Sequence, residues 1–191
     1  MKSTVLFFSL TLFLNACKNK EEKQQGGTEN KTAATASIYS KEFNDGVVTV
    51  LNAYYNLKDA FVASDTAKVN AAGTVLKGLL DSLKLDELKQ KDTIAFESIS
   101  GRPGDVAAEI TGMLGEKDIE KKRESFEMIS NAFYDMVRSI RPQGVSIYYQ
   151  YCPMAFNDKG AYWLSNADSI RNPYFGKKML TCGEVKETMK Y

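Results

Sequence analysis

Histidine is missing from all 191 positions of this chain. Its absence removes the commonest general base, the Ser-His and Cys-His nucleophile pairs and every zinc site built on imidazole. It also narrows any metal reading, because zinc, nickel and cupric ions favour imidazole whereas Cu(I) and Ag(I) can be held by sulfur alone. An excess of either charge is lacking as well: 25 basic residues stand against 24 acidic ones, a formal net charge of +1. Lysines and arginines are scattered among acids instead of forming a stripe, so no field draws in nucleic acid, which is not expected as a partner. Cysteine is scarce, with Cys17, Cys152 and Cys182 alone, and Trp163 is the single tryptophan. There is no Cys-x-x-Cys, no nucleophile elbow and no phosphate-cradling glycine loop, and the chain is not expected to be an enzyme.

No apolar run is long enough to span a bilayer. The longest, over residues 5–14, follows the positive Lys2 and ends at Leu14-Asn15-Ala16-Cys17. It has the length of a signal-peptide core, not of a membrane helix. The four residues at its end resemble a bacterial lipobox. That resemblance makes residues 1–17 a lipoprotein signal, with cleavage after Ala16 and lipid on Cys17. The chain is then expected in the cell envelope, lipid-anchored on the periplasmic face or the cell surface of the outer membrane, since several acyl chains on one cysteine hold stably. Residues 18–37 are Lys, Glu, Gln, Gly, Thr, Ala and Ser with no apolar periodicity. Such a segment buries too little surface to offset its ordering entropy, and is expected to be a flexible linker.

Residues 38–191 are expected to form one domain, large enough for its own core. Phe43, Val47, Val50, Tyr54, Leu57 and Phe61 step by four and three, the stripe of an amphipathic helix. Val69, Ala72, Leu76, Leu79 and Leu83 mark a second helix after a stop at Ser64-Asp65, so the two make a hairpin. The stretch from Leu85 to Gly115 reads as one interrupted helix or two, broken near Ser100, with Pro103 able to start the next turn. Asp118 caps a last long helix whose buried face is Ile119, Phe126, Ile129, Phe133, Met136 and Ile140. These rods predict an all-α fold, an antiparallel bundle of about four helices. Residues 145–185 read as an irregular cap on it, opening with the extended, β-branched and aromatic run Val145-Ser146-Ile147-Tyr148-Tyr149-Gln150-Tyr151.

Sulfur is concentrated in the cap. Cys152 and Met154 stand at one end, Met179 and Cys182 at the other, in mirrored order. Two thiols and two thioethers suit a soft ion, Cu(I) or Ag(I), and make Cys152, Met154, Met179 and Cys182 the candidate metal ligands. Cys152 and Cys182 would equally serve as a structural disulfide. Closing the loop between them stabilises a domain by ~3–4 kcal/mol in the chain-entropy model, and the envelope permits the bond. The two alternatives share one geometry and stay open from sequence.

Four segments carry a family resemblance: Tyr151-Cys152-Pro153-Met154-Ala155, Lys159-Gly160-Ala161-Tyr162-Trp163-Leu164-Ser165, Ile170-Arg171-Asn172-Pro173-Tyr174-Phe175-Gly176 and Met179-Leu180-Thr181-Cys182-Gly183. Together with Leu57-Lys58-Asp59-Ala60 they resemble a Bacteroidetes-type envelope domain family of unknown function, over roughly residues 43–185. That family also occurs appended to periplasmic adaptor proteins of copper/silver efflux pumps. The resemblance implies a helical envelope domain in heavy-metal efflux or homeostasis, with an efflux adaptor or a metallochaperone protein as partner. Members commonly carry His where this chain has Tyr151, so a ligand open to them is missing here.

Overall fold

A computed structural model describes residues 38–191. The lipobox-like segment with Cys17 and the linker over 18–37 lie outside these residues. Six helices come first: α1 (Lys41–Ala63), α2 (Thr66–Ser82), α3 (Asp86–Lys91), α4 (Thr93–Ile99), α5 (Arg102–Gly115) and α6 (Ile119–Ile140). Ser40 opens α1 by accepting the Phe43 N–H at 3.1 Å, and Asp65 opens α2 by accepting the Lys68 N–H at 3.0 Å. Each cap satisfies a donor that the first turn leaves free. The whole expected stripe of α1 is buried, from Phe43 to Phe61. On α2 the buried line runs through Val69, Gly73, Leu76 and Leu80, while Ala72, Leu79 and Leu83 are only partly covered. Gly73 leaves room for α5, since a Cβ there would meet the Met113 methyl at 2.8 Å.

Helix α1 packs on α2, α2 on α5 and α5 on α6. An aromatic cluster fills the centre: the Tyr54 ring lies 4.5 Å from Phe133 and 5.6 Å from Phe126, and Phe126 lies 4.8 Å from Phe61. The interrupted stretch resolves into α3, α4 and α5, with the break at Ser100-Gly101 and Pro103 in the first turn of α5.

The all-α expectation fails beyond Gly144. Three strands, β1 (Ser146–Cys152), β2 (Ala161–Ser165) and β3 (Glu184–Lys190), form an antiparallel sheet in the order β2-β1-β3, so the fold is mixed helix and sheet. Only the central strand carried a legible strand pattern. β2 is five residues long and four of them are buried, so it lacks alternation. β3 is Glu-Val-Lys-Glu-Thr-Met-Lys, a charged edge strand with a bulge opposite Tyr149 and Gln150. Charge and bulges are how edge strands avoid pairing with other chains, and they also erase the signature of a strand. The sheet rests on α6 through β2. Two phenols seal the outer edge of β2: the Leu164 N–H donates to Tyr54 Oη at 3.1 Å, and Tyr174 Oη donates to Tyr162 O at 2.5 Å.

Candidate functional site

Cys152 is the last residue of β1, and Cys182 lies two residues before β3. Because Tyr151 pairs with Glu184, the register carries the two cysteines to the same end of the sheet. Their sulfurs stand 2.9 Å apart, 30 residues distant along the chain. Gly183 makes the approach possible. Its φ of +140° is open only to glycine, and a Cβ would fall 2.7 Å from Tyr151 O and 3.0 Å from the Trp163 ring. Cys152 is fully buried and Cys182 half-buried, and neither is in a disulfide. The hydrogen bond with Cys152, followed by burial, pushes the Cys182 thiol up to about 11, against the opposing effect of the Met154 N–H that points at its sulfur.

Met154 and Met179 both touch this pair through backbone atoms. The Met154 N–H reaches Cys182 sulfur, and Met179 O accepts the Cys182 N–H at 3.1 Å. Met154 is 43% exposed at the start of a short turn, whereas Met179 is half-buried in the 3-10 turn Gly176–Met179. Among the described residues no three histidine, cysteine, aspartate or glutamate side chains converge on a point that could hold an ion.

Two loops surround the pair. The first leaves β1 through Pro153 and Met154 and curls through Phe156, Asn157 and Asp158, all with left-handed φ between 53° and 64°. A run of three non-glycine residues there is rare, because the Cβ crowds the following carbonyl. Phe156 is held by the Tyr174 ring, edge-on at 5.3 Å. The second loop is Asn172-Pro173-Tyr174-Phe175-Gly176, and Asn172 is completely buried. Asn172 Oδ1 accepts the Tyr174 N–H at 2.8 Å, its own N–H donates to Leu180 O at 2.8 Å, and its Nδ2 donates to Cys182 O at 2.8 Å. Asn172 thus shapes the turn by binding main-chain groups alone.

Arg123 of α6, which sequence reasoning passed over, holds this loop to the bundle. Its Nε donates to Pro173 O at 2.9 Å, Nη2 donates to Ser64 Oγ at 2.9 Å and Nη1 pairs with Glu120 at 2.6 Å. The signal was an arginine inside the apolar stripe of α6, four residues after Ile119 and three before Phe126. A charge in that position is buried only with partners. Gly176 fits against the end of α1 for want of a side chain: φ is +55°, and a Cβ would fall 2.3 Å from Ser64 Oγ and 2.9 Å from Val62 O.

Of the half-buried tyrosines beside Cys152, Tyr149 rests on the bundle and Tyr151 on its neighbour in the sheet. Tyr149 stacks on Tyr134 of α6 at 3.9 Å and on Tyr162 at 4.7 Å, and Tyr162 meets Tyr151 at 4.4 Å. Arg138 and Lys186 cover the two ends of this row. No helix among the described residues is long and apolar enough to cross a membrane.

Residues 50–144 match a family model described as Protein of unknown function (DUF3347). The match begins within α1 and ends just beyond α6, so it covers the bundle and stops short of the sheet and both cysteines. No curated protein and no solved structure matches the chain.

Proposed function

We propose that the protein binds one soft monovalent cation, Cu(I) or Ag(I), between Cys152 and Cys182, and serves heavy-metal efflux or homeostasis from a lipid anchor at Cys17. The observation that carries this reading is the meeting of two thiols at 2.9 Å in a chain without histidine. Two sulfurs on one ion, with bonds of about 2.3 Å, stand roughly 3.8 Å or more apart. The pair needs to spread by less than a bond length, which side-chain rotation supplies. The Met154 N–H aimed at Cys182 sulfur stabilises a thiolate there, and Met154 or Met179 supplies a third, thioether donor as its side chain swings in. An efflux adaptor or a metallochaperone is the proposed exchange partner.

A second reading is favoured by the same short separation. Contraction to about 2.05 Å makes a disulfide, and the protein is then a non-catalytic interaction module with a stapled cap.

Trp163 lies against Gly183 and is the single tryptophan, so its fluorescence reports on the pair. The test uses reduced protein carrying Cys17→Ser, titrated with Cu(I) against a competing chelator. One ion per chain is expected, with a change in Trp163 emission, loss of binding in Cys152→Ser and a smaller loss in Met154→Leu with Met179→Leu. Binding no tighter than that of the protein lacking both thiols would leave the disulfide reading in its place.

A further inference from the structure

We infer that Asn172 and Arg123 are positioning residues for the thiol pair, a brace through which the helical bundle sets the separation of Cys152 and Cys182. The inference rests on the pair being the functional site, whichever of its two chemistries it performs.

The chain of contacts is continuous. Arg123 is anchored on α6 beside Glu120 and reaches the end of α1 through Ser64 Oγ and, at 3.5 Å, Phe61 O. The same guanidinium holds Pro173 O, the next residue being one whose N–H is taken by Asn172. Asn172 then holds Leu180 O with its backbone and Cys182 O with its side chain, so the residues on both sides of Thr181 are fixed. Cys152 is fixed separately by the β1 ladder, in which its partner is Ala161. One sulfur is thus placed by the sheet and the other by the brace. A brace of buried and partly buried hydrogen bonds is stiff, and stiffness in the second partner decides how readily two sulfurs meet.

Asn172→Asp tests this with least disturbance. The carboxylate keeps the acceptor that serves Tyr174 and Phe175 but loses the donor to Cys182 O, setting oxygen against oxygen. The readout is the dithiol–disulfide equilibrium of the full chain against reduced and oxidised glutathione. Forming the disulfide releases two protons and passes two electrons to oxidised glutathione, which leaves as two thiols. Relative to wild type, the Asp variant is expected to shift the equilibrium about tenfold toward the dithiol, the scale of one buried hydrogen bond. The shift should shrink as pH is lowered from roughly 8 to roughly 5, where a protonated carboxyl regains a donor. Urea stability is measured at the same pH values, because a purely structural role would recover there as well and move the redox equilibrium no further than it moves stability. Arg123→Lys keeps the charge beside Glu120 but loses the planar fork, and is expected to shift the equilibrium in the same direction by less. It decides the matter if Asn172→Asp does not fold, as judged by circular dichroism. Folded variants whose equilibrium stays within twofold of wild type overturn the brace. Ag(I) titration of wild type runs alongside: failure there removes the metal reading and leaves the glutathione result standing.

Discussion

At the thiol pair, the fold alters the chemistry of Cys182. Its thiol is held up at about 11 by the hydrogen bond with Cys152 and by burial. At neutral pH it is protonated, and a cation that binds there must displace the proton. Apparent Cu(I) affinity is therefore expected to rise with pH, by up to about tenfold per unit for each proton displaced, and to flatten only as pH approaches the thiol's own value. Competition titrations at several pH values check this, and an affinity independent of pH would show that Cys182 is not a ligand. Gly176 is the second telling residue. Gly176→Ala sets a methyl against Ser64 Oγ and Val62 O in a left-handed backbone and should cost about 2–4 kcal/mol, read by urea denaturation. A neutral effect would mean the loop does not need its seat on α1. At this scale sequence reading found the sulfurs. It missed Arg123, because stripe reading registers apolar residues and skips a charge buried among them.

Helices α3 and α4 were not told apart, each being under two turns and burying only one or two residues, but the long helices were legible because period and burial coincide along α1 and α6. The sheet was not. β2 is buried on nearly every residue and β3 is mostly charged and exposed, so neither alternates in the way that marks a strand. What defines β2 is tertiary: its outer edge is paired by phenols instead of a fourth strand. Tyr54→Phe should then cost about 1–3 kcal/mol by leaving the buried Leu164 N–H and the Ser130 hydroxyl without their partner. Hydrogen exchange should show the Leu164 amide losing protection ahead of the α1 amides. Equal protection in the variant would mean that the edge is sealed by packing alone.

Across the molecule, the part that matches a family is the bundle, and the part with distinctive chemistry lies beyond it. The bundle acts as a mount: α6 carries the sheet, Arg123 carries the Asn172 loop, and between them they bring two thiols together from 30 residues apart. The juxtaposition was foreseeable from the mirrored sulfur motifs, whereas the means of achieving it was not, since strand register and a buried guanidinium are properties of the assembled fold. The central claim is that Cys152 and Cys182 take one soft ion together. X-ray absorption at the copper edge, on Cu(I)-loaded protein carrying Cys17→Ser, tests it most directly. The account predicts a first shell of two or three sulfurs at about 2.3 Å, reduced to a single thiolate or abolished by Cys182→Ser. A shell of nitrogen or oxygen, or one unchanged by Cys182→Ser, would contradict it.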